Sequence, residues 1–415
     1  MSNDRAPAKL ANWRTPTMIV VCGCLIGMIA FGPRSALGLF LTPMSAANGW
    51  GREIFAFAVA LQTLVYGVAQ PFVGAVADRF GTGRVIVTGA ILYALGMALM
   101  AHATTPGMLY FSNGVLIGFG LSGCSFNLII SSFGKLLPAS WRSTAFGAGT
   151  AAGSFGQFLF SPLGVSLIDH IGWQAALTTF ASVLLLIVPL SFVIATPRQN
   201  EESDGARGAV PSQNLKEALR EALGHRSYVL LVLGFFTCGF QVGFVTVHLP
   251  SYLIDRGLSA DIGGWTLAAI GLFNIIGSMT SGWLGGRMPK RFILSGIYFA
   301  RALAVVALIT LPASPAVALI YGAVTGLLWL SSIPPTSGLV ALMFGTRWLA
   351  MLFGVAFFSH QVGGFLGVWL GGLVYEHSGS YDAVWWLGVL FGLLSAIINL
   401  PIVEKPVARL ALAPA

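Results

Sequence analysis

Twelve apolar runs follow one another along this chain, at 17–43, 54–76, 84–102, 108–134, 143–167, 173–195, 227–253, 262–284, 291–311, 315–343, 348–375 and 383–403. Crossing a ~30 Å hydrocarbon layer takes about 20 residues of helix, so each run is long enough to cross. In lipid every backbone group must be paired within the structure, and runs of this length exceed what a barrel strand needs, so they are read as helices. Composition excludes a soluble domain. Only 9% of the residues are charged and 56% are hydrophobic, against about 25% charged in soluble proteins. The expected fold class is an all-α membrane protein of twelve transmembrane helices in two parallel six-helix repeats.

The net charge of +8 does not point to nucleic acid, because its distribution follows topology. With the N-terminus inside, 18 of the 22 Lys and Arg fall on inner segments and only Arg52 and Arg256 on outer loops. That asymmetry places both termini in the cytoplasm and the chain in the cell inner (plasma) membrane as a multi-pass protein. The first run is too long for a signal-peptide core, so it is expected to be retained. Cys22, Cys24, Cys124 and Cys238 all lie in apolar runs without metal-site spacing. No cofactor or metal is expected.

The one substantial polar stretch divides six runs from six. It implies a first half at 1–195, a cytoplasmic linker at 196–226 with an amphipathic helix over 214–223, and a second half with a short cytoplasmic tail at 227–415. The halves repeat at an offset of 207: Gly32 answers Gly239, Pro43 answers Pro250, Gly147 answers Gly354 and His170 answers His377. Parallel six-helix repeats place a solute site between the halves. The 52 glycines suit close helix approach, as static packing or as faces that slide between rocking halves.

Between runs 2 and 3 stands Gly74-Ala-Val-Ala-Asp78-Arg79-Phe-Gly81-Thr-Gly-Arg84. This resembles the G-x-x-x-D-R-x-G signature of the major facilitator superfamily. The resemblance implies that Gly74, Asp78, Arg79, Gly81 and Arg84 form a cytoplasmic gating latch. A carboxylate beside a helix N-terminus is favourable, which gives Asp78 a physical reason to hold it. The final basic residue is displaced by one, and the counterpart after run 8, Gly282 to Arg291, lacks the Asp. Within that superfamily, Gly32-Pro33-Arg34 through Gly49-Trp50-Gly51-Arg52 resembles the bacterial monocarboxylate-porter and oxalate/formate-antiporter branch. Members of that branch often carry a basic residue in span 8 or 11. Here span 8 has no charge and span 11 offers His360-Gln361, so the anion-binding role is expected to have moved to Arg34.

Arg34 and Arg301 are the only charges stranded in apolar runs. A charge at bilayer depth costs about 2.5–3.5 kcal/mol or more and marks a functional site by default. Arg34 follows Pro33, where the helix is expected to bend. Its guanidinium suits a carboxylate through two parallel hydrogen bonds; snorkelling to the outer surface, or bonding to neighbouring carbonyls, is the other reading. Its repeat mate is Gln241, which shares a helix face with His248. His248 and His360 are candidate proton carriers, and the acid itself is the remaining route. Gln62 and Tyr66 with Gln70 on span 2, Asn127 on span 4, Gln361 on span 11 and Trp329 before the Pro334-Pro335 break complete the candidate binding set. Each of these also has a plain packing or interhelical role open to it. Arg301, about ten residues into run 9, has two readings: a structural group bonded to helix 8 or 10, or a second anion-binding group.

Together these readings lead to a secondary transporter, not an enzyme, moving a small organic anion, a monocarboxylate first, by alternating access. The expected partners are that solute, a coupling proton and the lipid bilayer, with the chain as a monomer. One alternative is a carrier of a larger aromatic or weakly charged solute, such as a vitamin (a flavin, for example) or a drug, since 29 Phe and 11 Trp are available to line a cavity. A second is a non-transporting membrane sensor, which the lack of an appended soluble domain disfavours.

Overall fold

A computed structural model describes residues 14–196, 215–345 and 349–407. Among the described residues every regular element is helical. The first half holds α1 (Pro16–Ser35), a 3-10 turn (Leu37–Phe40), α2 (Leu41–Asn48), α3 (Arg52–Phe80), α4 (Thr82–Ala101) and α5 (Pro106–Leu109). A π-helical stretch (Tyr110–Ile117) continues into α6 (Gly118–Gly123), α7 (Phe126–Leu136), α8 (Ala139–Leu184) and α9 (Ile187–Ile194). After the short α10 (Leu215–Leu223) come α11 (Arg226–Asp255), α12 (Ala260–Gly285), α13 (Lys290–Thr310), α14 (Pro315–Leu328), α15 (Ile333–Phe344), α16 (Leu349–Ser378) and α17 (Asp382–Asn399).

Eleven stretches among the described residues are long and apolar enough to cross a membrane, against the twelve expected. The difference is the 48-residue stretch Gly147–Ile194. At ~1.5 Å per residue it would be about 72 Å long, more than twice a hydrocarbon layer. Gly172 interrupts it with φ 81° and ψ 161°, a conformation open to glycine and strained for other residues. The stretch is therefore the two expected runs, 143–167 and 173–195, with no intervening loop.

Helix starts follow local chemistry. Thr15, Thr105 and Ser314 each cap a helix with a side-chain oxygen, and a proline follows at the first position. Proline there removes an N–H that would have no partner and presets φ. Pro33 ends α1 within two residues, and the 3-10 turn carries the chain into α2, so the expected bend is present. The expected break at Pro334-Pro335 is shifted: the prolines begin α15, and the interruption is Trp329–Ser332.

Repeat-mate pairs pack alike. α1 lies on α8 and α11 on α16 through glycines that admit a neighbouring backbone. A Cβ on Gly243 would stand 2.7 Å from the Gly364 carbonyl oxygen, and Gly363 and Gly367 sit against the backbone of Phe236 and Phe240. The linker's first part, 197–214, lies outside the described residues. Its helix is α10, where Ala218 and Ala222 are buried while Lys216, Glu217 and Arg220 face out.

Candidate functional site

At one end of the bundle the two halves are tied together. The Arg52 guanidinium opens α3 and holds Asp255, the last residue of α11, with two parallel bonds of 2.7 and 2.8 Å. Its backbone N–H donates to Glu376 of α16 at 3.1 Å, and the guanidinium lies 4.0 Å over the Tyr375 ring. Arg52 also donates to the Tyr381 hydroxyl at 3.1 Å. Burial pushes that hydroxyl up from the usual tyrosine range, so it stays neutral. Below it, Thr42 and Ser251 pair across the halves at 3.0 Å. Sequence reasoning placed Arg52 on an outer loop and gave it no partner. Its acids come from segments about 200 and 320 residues away.

His248 belongs to this closed end. It is fully buried, with Nε2 2.7 Å from the Val368 carbonyl and Nδ1 3.4 Å from Tyr381 Oη. Both ring nitrogens are engaged by the protein. Gln241 is likewise occupied within its own half: its Nε2 donates to the Gly388 carbonyl at 3.0 Å and its Oε1 accepts from Arg301 at 3.4 Å. Gln241, the repeat mate of Arg34, turns its side chain toward α13 and α17, and no described contact joins it to Arg34.

Arg34 lies deeper and is half-buried. Its guanidinium carbon sits 5.0 Å from the Tyr66 ring centre and 5.8 Å from that of Phe31. Among the described residues it makes no side-chain hydrogen bond and no ion pair. Tyr93 of α4 lies close by, its buried hydroxyl next to the Arg34 backbone. Rings continue the site into the second half: Phe357 meets Tyr66 edge-on at 6.1 Å and stacks on His360 at 5.6 Å. His360 Nδ1 is 3.1 Å from Gln361 Oε1, and Gln361 Nε2 donates to the Thr63 carbonyl at 3.3 Å. Arg34, Tyr66, His360 and Gln361 are thus brought together between the halves.

The remaining polar face of α3 meets span 4. Gln62 donates to Asn113 at 2.7 Å in a buried pair, Ser122 donates to the Tyr66 carbonyl at 3.1 Å, and Asn127 donates to Gln70 at 3.2 Å. Asn113 lies in the π-helical stretch, a distortion that often accompanies function. Gly74 is half-buried in α3, and Gly81 makes the turn into α4 with φ 91°. Arg84 is exposed on α4. The side chains of Asp78 and Arg79 lie outside the described residues.

Arg301 and Trp329 meet at the interruption between α14 and α15. Arg301, only 4% exposed, donates from Nε (3.0 Å) and Nη2 (2.6 Å) to the Leu328 carbonyl, and from Nη2 to the Trp329 carbonyl. These carbonyls end α14, so the guanidinium caps a half-helix whose negative dipole end it offsets. Trp329 is buried, with its carbonyl held this way.

The Major Facilitator Superfamily profile matches residues 23–368. An uncharacterised MFS-type transporter of Bacillus subtilis (strain 168), YcxA, is 28% identical over 391 residues, covering 92% of this chain and 94% of that protein. Monocarboxylate transporter 13 of Bos taurus is 25% identical over 373 residues, covering 88% and 84%. Among solved structures, a D-xylose-proton symporter superposes with a TM-score of 0.67 at 18% identity, covering 94% and 97% of the two chains. An inward-facing, occupied bacterial homologue of the lysosomal transporter Spinster does so with 0.70 at 14%, covering 92% and 96%.

Proposed function

The chain belongs to the major facilitator superfamily, a multi-pass membrane transporter and not an enzyme, and from that premise we propose that its solute is a small organic anion, a monocarboxylate first. One observation carries the reading: the Arg34 guanidinium lies between the halves on aromatic rings, with no acidic partner among the described residues. A half-buried cation at bilayer depth without a counter-charge is costly, and a bound carboxylate relieves that cost through two charge-assisted bonds. The monocarboxylate transporters among the relatives support the same class.

Transport follows by alternating access. The Arg52, Asp255 and Glu376 cluster closes the outer end, and the Gly74–Arg84 segment is the cytoplasmic latch. The charge asymmetry of its loops supports a place in the inner membrane with both termini inside, and the transporting unit is a single chain. His248 has both nitrogens occupied, so a coupling proton travels on His360 or on the acid itself.

Flux into proteoliposomes tests this. Wild-type protein is expected to take up a radiolabelled monocarboxylate and Arg34→Ala not to. Uptake of a neutral aromatic solute with no response to monocarboxylates would overturn the anion reading and favour the aromatic-solute alternative. The rings of Phe31, Tyr66 and Phe357 already supply a surface for such a solute.

A further inference from the structure

Span 4 is broken at Cys124 and Ser125, where the backbone leaves helical geometry before α7 begins at Phe126. Span 10 is broken at the corresponding place: α15 begins at Ile333, 207 residues after Phe126. In span 10 the protein fills its own break. Arg301 caps Leu328 and Trp329, Asn274 accepts the Leu330 N–H at 3.0 Å, Ser281 donates to the Ser331 carbonyl, and Cys238 pairs with the N-cap Ser332 at 3.3 Å. At the same offset the first half offers Ala94, Gly67, Gly74 and Phe31. None of these has a side-chain donor or acceptor, so the equivalent break in span 4 is not filled that way.

The consequence is visible at α7. Its N-cap residue Ser125 is 4% exposed, and its hydroxyl has no hydrogen-bond partner and caps nothing. The N–H groups of Phe126 and Asn127 begin the helix and have no partner among the described residues. Gln70 lies beside them, its Oε1 occupied by Asn127 and its Nε2 buried without a partner. Three kinds of donor therefore converge at the positive end of an 11-residue helix. The break also adjoins Arg34 through shared neighbours: Ser122 of the same span holds the carbonyl of Tyr66, whose ring carries the Arg34 guanidinium, and Tyr93 is close enough to both Arg34 and Cys124 to feel their charge. Gln70 is one turn, about 6 Å, along α3 from Tyr66.

We infer that the start of α7 is a second recognition point for the solute, taking an acceptor oxygen of an organic acid whose carboxylate is held by Arg34. The inference rests on the organic-anion reading and narrows it. The favoured solutes carry, beyond the carboxylate, a carbonyl oxygen or a second carboxylate within about one helical turn; a plain alkanoate leaves the Ser125 and Gln70 donors unpaired. Sites built to hydrogen-bond a solute group reject the analogue that lacks it, because their own buried polar groups then go unpaired.

The test uses the full chain in detergent and apparent affinities from ligand-induced thermal shifts. Pyruvate is compared with propionate, and succinate with butyrate. In at least one pair the acceptor-bearing acid is expected to bind about tenfold more tightly, the size of one charge-assisted hydrogen bond. Ser125→Ala and Gln70→Leu are expected to shrink that preference to under threefold, while Arg34→Ala weakens all four acids. The unliganded melting temperature of each variant reports folding. No preference in wild type, or a preference that survives in whichever variant folds, overturns the inference while leaving Arg34 as the anion site. If none of the four acids shifts the wild-type transition, the organic-anion reading falls and takes the inference with it.

Discussion

The two broken helices occupy equivalent places in the repeat, yet their chemistry is opposite. The span 10 break is sealed by protein groups from α11, α12 and α13. The span 4 break keeps an unpartnered Ser125 hydroxyl at a helix start and, beside it on α3, an unpartnered Gln70 Nε2. The two halves thus share the backbone interruption and differ in what fills it. A discontinuous helix in lipid needs partners for its freed groups. Where the protein supplies them the break is scaffold; where it withholds them the break is available to a solute. The same division separates the two membrane-embedded arginines: Arg301 spends its donors on carbonyls, and Arg34 keeps them.

The comparison is broken most directly at Arg301. Arg301→Leu removes the cap from Leu328 and Trp329, leaving the Leu328 carbonyl and Gln241 Oε1 unpaired in the bilayer interior and the Trp329 carbonyl with only the Cys238 thiol at 3.9 Å. Removing one partner of a buried charged network costs about 3–5 kcal/mol. The expected outcome is a steep loss of monodisperse protein on size-exclusion, with Arg301→Lys recovering part of it. An Arg301→Leu protein of wild-type stability that has lost solute affinity would move Arg301 from scaffold to binding.

Arg34→Ala is the matched experiment in the first half. Because its guanidinium has no described acceptor to abandon, folding is expected to survive. Solute affinity is expected to fall at least 100-fold, since two charge-assisted bonds go at once. Arg34→Lys keeps the charge but not the planar fork, and is expected to recover only part of the affinity. Equilibrium binding with purified variants reads both.

How much of this was legible beforehand divides along a physical line. Span count, the repeat offset and the deep arginines follow from hydropathy and the expense of buried charge, so they are visible in one dimension. The bend after Pro33 is local backbone chemistry and is equally readable. The missed features are partnerships. Gln241 and His248 do share a helix face, but spacing says nothing of which neighbour that face meets. They meet α13, α16, α17 and Tyr381, not Arg34. Arg52 read as a loop charge because Asp255 and Glu376, its acidic partners, stand 203 and 324 residues away in the sequence. Ser125 carried no signal at all until its repeat mate Ser332 was seen paired with Cys238.

A smaller effect is expected at Asn274, which ties the span 10 break to α8. Its Oδ1 accepts from Leu330 N–H and its Nδ2 donates to Ser154 at 2.9 Å. Asn274→Leu leaves the partly buried Leu330 N–H without its partner, costing about 1 kcal/mol. Thermal unfolding measures this. A near-neutral result would show that the break tolerates an unpaired group, and would weaken the contrast with span 4.

The finest division lies between the two N-cap serines. Ser332 is fully buried and its hydroxyl is 3.3 Å from the Cys238 thiol, so Ser332→Ala removes a formed contact. The expected destabilisation is about 1 kcal/mol. Ser125→Ala removes a buried hydroxyl that bonds to nothing described. Deleting an unsatisfied polar group lifts its desolvation penalty, so the unliganded protein is expected to be as stable as wild type or slightly more so. The sign of the difference is therefore the readout, measured on both variants in one detergent without solute. If Ser125→Ala lowers the melting temperature as much as Ser332→Ala does, both serines are scaffold and the asymmetry between the two breaks is lost. If the signs differ, the first-half hydroxyl is retained at a stability cost, as expected of a group held ready for a ligand.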